Sequence, residues 1–428
     1  MSTPENLDEV DFFIDNELLS DPYDYLAAVR SECPVRRESH HDVVMITGYE
    51  EALEIYNDPA RFSSCISVAG PFPGFPVPLE GDDISELIEK HRPELIMNDQ
   101  LPTMDPPTHT AHRALLLRMI TPKRLKENEE FMWRLADRQL DEVLVDGRCE
   151  FNGGFATPFA MLVIADLLGV PESSHEEFRE ALLTGPTIGS STGDAMEHSP
   201  LGYLYDKFTG YIEDRRSTPR GDVLTGVASA TFPDGSVPKV SDAVAVAANL
   251  FAAGQETTVR LLASAVKMLA EDPELQARVR ADRSLLPAFI EEALRYESPV
   301  RGDFRLSKVP VNVGGVDLPA GTTLMLINAA LNRDPRKFPD PDVFDVDRVN
   351  ARSHVAFGRG IHSCPGAPLA RAEAVVSLER LLDRTGDIWI DEDKHGPPGD
   401  RRYSYLPTFV LRGLTHLHIG FSSPVSGS

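Results

Sequence analysis

Several groups of residues in this chain have types and spacings that could do chemistry, and the run Phe357-Gly358-Arg359-Gly360-Ile361-His362-Ser363-Cys364-Pro365-Gly366 is the most informative of them. It presents one cysteine on a glycine-rich loop that runs straight into an amphipathic helix from about Ala367. Gly358, Gly360 and Gly366 allow positive φ and close backbone approach. The helix start aims free N–H groups and the positive end of its dipole at the sulfur, which favours the thiolate. Such a loop can hold a sulfur anion against a metal. A lone cysteine beside a glycine turn more often packs as a small hydrophobe, so the reading depends on what else the chain supplies.

Ser241 to Ala270 is apolar nearly all round, with a Ser-Asp start and a stop before Pro273, and reads as a buried helix roughly 45 Å long. Its middle is Ala253-Gly254-Gln255-Glu256-Thr257-Thr258. Gly costs a helix interior about 1 kcal/mol against Ala, and an unpaired buried carboxylate costs more. A local kink around an internal water site is therefore expected. Next along the chain, Glu292 and Arg295 stand at i and i+3 on one helical face, a spacing usually used for solvated ion pairs worth a few tenths of a kcal/mol. His109 and Arg113, at i and i+4 after Pro107-Thr108, point the same way from a helix start.

The spacing of Phe357, Gly360, His362, Cys364 and Gly366 resembles the heme-binding loop of the cytochrome P450 family. The resemblance runs from Asp21-Pro22-Tyr23 to the C-terminal hairpin and implies a single cytochrome P450 domain over 1–428, with a loosely ordered segment at 1–20 and a tail at 423–428. It implies a mainly α fold with a small β-rich region, a triangular helical prism with heme b between the long central helix and the helix after the cysteine loop. Cys364 is then the axial iron ligand, in a loop with Phe357, Gly358 and Gly366. Thiolate ligation pushes electron density onto iron and favours O–O cleavage. Glu256 and Thr257 match the family's acid and threonine that relay protons during oxygen activation. His109, Arg113, Arg305 and His362, with Asp303 among them, match the partners of the heme propionates. Glu292 and Arg295 match a structural pair that locks a helix to the meander around Leu331 to Arg348. Pro365 departs from the aliphatic residue common after the cysteine and removes one N–H donor near sulfur.

The elements that must position these groups follow from periodicity. Helices are expected at Tyr23–Ser31, Tyr49–Asn57 and Ile84–His91, and through most of 109–270. Strands are expected at Asp42–Thr47, Val309–Val313, Thr322–Ile327 and within Thr408–Phe421. Pro71, Pro73, Pro76 and Pro78 forbid regular structure around Phe72 and Phe75, and Thr184–Pro200 reads as a lid. Substrate contacts are expected from Phe72, Phe75, Ala252, Ala253, Val300, Phe409 and Val410, which suit an apolar ligand of terpenoid, fatty-acid, steroid or aromatic type. Arg301 reads as a solvent-facing charge or a partner for a substrate carboxylate.

A net charge of −25 argues against nucleic acid. The dispersed Cys33, Cys65, Cys149 and Cys364 offer no disulfide framework, which fits a reducing cytoplasm. The acidic start, Met1 to Asp11, shows neither signal peptide nor membrane anchor. The family reading implies an enzyme that inserts one oxygen atom of O2 into a C–H or C=C bond, using electrons from an iron–sulfur ferredoxin and its NAD(P)H-dependent reductase. Arg113, Arg118, Lys123, Arg124, Lys126, Arg359 and Arg371 would form the ferredoxin face. A peroxide-driven heme-thiolate enzyme and a non-catalytic heme ligand sensor are the alternatives.

Overall fold

The computed structural model describes residues 7–182 and 199–423. A helical body is built around one helix, Val240–Glu271, of 32 residues, about 48 Å long at 1.5 Å per residue. Asp242 caps its start by accepting from the Lys239 N–H at 2.9 Å, and Pro273 ends it by opening the next helix at Pro273–Ala281. Thr157–Leu168, whose sequence is apolar on every face, packs against it and ends at Gly169 with φ 76°. Ser199–Ser217 and the cysteine-loop helix, Ala367–Arg384, pack on the same central helix. The shared core runs from Phe159 and Ile164 through Phe251 and Leu262 to Leu378.

The β-rich part is a five-stranded sheet in the order Val35–Arg37, Val44–Ile46, Thr323–Leu326, Asp303–Ser307, Phe62–Ser63. Only the pairing of Val44–Ile46 with Thr323–Leu326 is parallel. Alternation along Asp303–Ser307 sends Phe304 and Arg305 to opposite faces. Phe304 joins an aromatic cluster on one side, and Arg305 approaches His362 of the cysteine loop on the other. A three-stranded sheet joins Arg148–Glu150, His418–Phe421 and Ile388–Ile390, and Val311–Val313 pairs with Val316–Leu318.

Two expectations are corrected here. The segment expected to be loose at 1–20 is ordered from Leu7 onward: Phe12 and Phe13 are fully buried, and Asn16–Ser20 is a helix capped by Asp15. Its aromatic pair fills a core position that short-range periodicity does not announce. Thr408–Phe421 is not a regular hairpin; only His418–Phe421 is a strand, and isolated bridges tie Val300 to Leu411 and Tyr405 to Leu414. The central helix is continuous through Gly254. Gly254 lies against Ile164, where an added Cβ would already touch at 3.4 Å. The expected lid at Thr184–Pro200 falls almost entirely outside the described residues, as does the tail after residue 423.

Candidate active site

The cysteine loop is closed by the Cys364 N–H donating to Phe357 O at 2.8 Å. Gly358 and Gly360 take φ 63° and 66°, and a Cβ on Gly360 would lie 2.2 Å from Tyr56 O, so only glycine fits there. Gly366 departs from expectation with φ −80°, ordinary right-handed backbone; its contribution is close approach, an added Cβ falling 3.7 Å from Cys364 Sγ. Solvent reaches Cys364 through a cleft, yet the depth of surrounding protein pushes its thiol pKa up. The amide N–H groups of Gly366 and Ala367 and the guanidiniums of Arg113 and Arg371 oppose that rise. An anionic sulfur here is thus poised to gain from a cation placed against it.

Four of the predicted partners converge beside the sulfur. The rings of His109 and His362 lie 4.1 Å apart, and Arg113 donates to Ser363 O at 2.7 Å. Burial, then the nearby Arg113 for His109 and Arg305 for His362, depress both imidazoles, to about 4 and about 2, so both are neutral. Each has a buried Nε2 without a hydrogen-bond partner among the described residues. Among the described residues Arg305 spends only Nη1, on Asp303 Oδ2 at 2.7 Å and on Phe304 O. Asp303 is held in turn by the Tyr56 hydroxyl at 2.8 Å. Unpaired buried imidazole nitrogens are costly unless something accepts from them. Two neutral N–H donors and two guanidiniums match two carboxylates of an enclosed ligand, so the residues present fit heme.

On the central helix, Ala253 is exposed while Ala252, Glu256 and Thr257 are half-buried. Glu256 is ion-paired with Arg260 one turn on, and Arg260 donates to Leu414 O at 2.7 Å. The Thr257 hydroxyl donates to Ala253 O at 3.0 Å. Both side chains are therefore engaged along their own helix, the arrangement typical of an isolated helical Thr.

Glu292 and Arg295 are fully buried and bidentate, at 2.8 and 2.7 Å. Arg295 continues to Asn332 O, Pro341 O and Val343 O, while Glu292 accepts from Arg348 and the Asp345 N–H. Glu291 next door takes His354 and Arg371, which hold its pKa down to about 2 against burial. Arg371 also covers the Phe357 ring at 4.7 Å. Adjacent glutamates thus fasten one helix both to the 332–348 meander and to the cysteine loop.

The predicted pocket residues divide into two groups. Phe72 and Phe409 meet at 5.3 Å between ring centroids and share a cluster with Phe13 and Phe304. Phe72 and Phe75 also line a cavity of about 250 Å³ with Cys65, Ile66 and Leu95. Val300 bridges to Leu411, and Val410 is buried in the same core. Ala252 and Ala253 belong instead to the central-helix wall. Arg301 is corrected outright: it is fully buried, 4.6 Å over the Phe12 ring, and donates to Leu18 O at 2.7 Å. Burial and neighbouring Arg412 bring its pKa down to about 9.

Sequence reasoning passed over Glu373, which is 1 % exposed and faces the Thr258 hydroxyl of the central helix. Burial pushes its pKa up to about 8, so it is predominantly protonated at neutral pH. It also passed over Tyr56 and Asn249. A polar residue at i−8 from Thr257 on an apolar helix was the available signal for the latter.

Comparison with known proteins agrees with this geometry. The family profile described as Cytochrome P450 matches residues 233–385. Cytochrome P450 144 of Mycobacterium tuberculosis is 34 % identical, covering 95 % of this chain and 90 % of that protein. The 6-deoxyerythronolide B hydroxylase of Saccharopolyspora erythraea is 31 % identical, covering 98 % of this chain and 99 % of that protein. The substrate-free structure of Mycobacterium marinum cytochrome P450 CYP150A6 superposes with a TM-score of 0.93 at 53 % identity, covering 98 % and 100 % of the two chains. A sulfur-bearing loop, paired cationic and imidazole donors and full-length likeness lead to one conclusion: the chain belongs to the cytochrome P450 family, the heme b monooxygenases that use dioxygen and redox partners.

Proposed function

We propose that the enzyme oxygenates a small to medium apolar substrate of terpenoid, fatty-acid-derived, steroid or aromatic type, with electrons from a ferredoxin and its NAD(P)H-dependent reductase in the cytoplasm. The observation that carries the site reading is the pair of orphaned nitrogens on His109 and His362 beside Cys364. Heme bound there by the Cys364 thiolate supplies dioxygen activation and insertion of one oxygen atom into a substrate bond. His109, His362, Arg113 and Arg305 hold its propionates by charge-assisted hydrogen bonds. Asp303 and Tyr56 orient Arg305. Ala252 and Ala253 leave space on the central helix for an apolar substrate, and the half-buried surface around them excludes bulk water when it is filled.

Glu256 and Thr257 deliver protons. Glu256 leaves Arg260, reloads from solvent and hands the proton toward the Thr257 hydroxyl, whose own proton is lent to Ala253 O at rest. Arg118 and Lys126, exposed and without ion pairs among the described residues, provide the free charge of the ferredoxin face. Lys123 and Arg124 of that segment are paired with Glu127.

The reduced protein with carbon monoxide should show the Soret band of thiolate ligation, and Cys364→Ala should abolish both that band and turnover. A wild-type adduct with the spectrum of imidazole ligation would sink the reading. Thr257→Ala should keep oxygen consumption while product per electron falls roughly tenfold or more.

A further inference from the structure

One polar side chain on the wall of this cleft is used neither for proton delivery nor for packing. Asn249 is half-buried on the central helix, between Ala243–Ala248 and Leu250–Phe251, all of them buried. Positions i, i+4 and i+8 lie on one helical face, which places Asn249 in line with Ala253 and Thr257. Ala253 is the one exposed residue between Ala243 and Ala270. The amide therefore stands on the open stripe of the helix, about 12 Å along it from Thr257.

Hydrogen bonding fixes which end of that amide faces the cleft. The Tyr205 hydroxyl donates to Asp99 Oδ2 at 2.6 Å, and its oxygen accepts from Gln100 Nε2 at 2.7 Å. Gln100 Nε2 also donates to Asp99 Oδ1 at 3.1 Å. A carboxylate only accepts, so the Gln100 nitrogen is committed to this side and its oxygen must face the other way. There it accepts from Asn249 Nδ2 at 2.5 Å. Gln100 is 1 % exposed, so reversing it would bury unpaired groups. Asn249 Oδ1 is left over, and no described group donates to it.

We propose that Asn249 Oδ1 is the polar anchor of the substrate site, accepting a hydrogen bond from a hydroxyl or amide N–H on an otherwise apolar substrate. The inference rests on the monooxygenase reading of the same cleft and narrows its substrate class. A substrate whose polar end only accepts, such as an ether, a ketone or a carboxylate, meets a lone pair. Turning the asparagine to suit it breaks the chain of bonds back to Asp99. Alcohols and secondary amides are preferred for that reason.

The test uses 1-alkylimidazoles ending in a hydroxyl, with chains of roughly four to ten methylenes to span the helical distance, each paired with its methyl ether. The imidazole holds heme iron, reporting binding by an optical shift, while the chain end samples the wall. At a best chain length the alcohol should bind about tenfold more tightly than the ether. Asn249→Leu should erase that preference with ether affinity retained. Tyr205→Phe, which unties the relay without touching the ligand, should weaken it. Equal affinities at every length, or an undiminished preference in Asn249→Leu, would overturn the anchor while leaving the heme reading intact. Absence of any optical shift with plain imidazole would instead defeat the heme reading on which the anchor rests.

Discussion

The cysteine side and the substrate side of this molecule are held by different forces. Around Cys364 the chain is fixed by buried ion pairs and carbonyl acceptors: Glu292 with Arg295 and Arg348, Glu291 with Arg371 and His354. Around Pro71 to Pro78 the loop is held mainly by rings and apolar contacts, with Phe72 against Phe13, His41 and Phe409. Hydrogen-bonded ion pairs have directions and tolerate no displacement, whereas ring contacts can slide. An invariant sulfur-to-metal geometry calls for the first, and a surface that must admit a ligand calls for the second.

The contrast should break most visibly at Arg295. Arg295→Met leaves Glu292 to Arg348 alone and takes the donor from Asn332 O, Pro341 O and Val343 O, and should destabilise the fold by about 3–5 kcal/mol, read as a lowered urea midpoint. Adding Glu292→Leu should recover little of that loss, because Arg348 then loses its buried carboxylate. On the substrate side, Phe409→Ala should cost about 3 kcal/mol and Phe409→Leu roughly 1, a graded response in the same assay. An abrupt loss for Phe409→Leu would erase the distinction.

A smaller effect separates the two regions by pH. Glu373 lies on the cysteine-loop helix with its folded pKa near 8, above the unfolded value of 4.5. The folded chain keeps a proton that the unfolded chain has lost, so stability is full below about pH 4.5 and declines as pH rises toward 8. Glu373→Gln should flatten that decline in urea midpoints taken across the window. The smallest expected effect is kinetic: Arg118→Glu with Lys126→Glu should slow reduction by a ferredoxin and reduce its dependence on salt. An unchanged salt slope would remove this face from the docking surface.

Much of the cysteine side was legible in the chain because its residues are close in sequence and their chemistry is narrow. Cys364, His362, Gly360 and Phe357 fall within eight positions, and Glu292 with Arg295 within one turn. The ring cluster was illegible for the opposite reason. Phe13, Phe72, Phe304 and Phe409 come from four distant segments, and no local period joins them. Arg301 misled because an arginine is usually exposed, and only the fold supplies the Phe12 ring and Leu18 carbonyl that let it be buried. The close packing of Gly254 on Ile164 was illegible because the two stand 90 residues apart in sequence.

Arg301 and Arg412 each end on a carbonyl of the first helix, Leu18 O and Leu19 O. Those two oxygens sit at its negative end, so the opening segment acts as a counter-charge for cations sunk beside Val300 and Leu411. A variant beginning after Ser20 would leave both guanidiniums short of an acceptor directly behind the substrate wall. Trimming the front of the chain is therefore equivalent to mutating the pocket from behind, and affinity tags placed there belong upstream of Leu7.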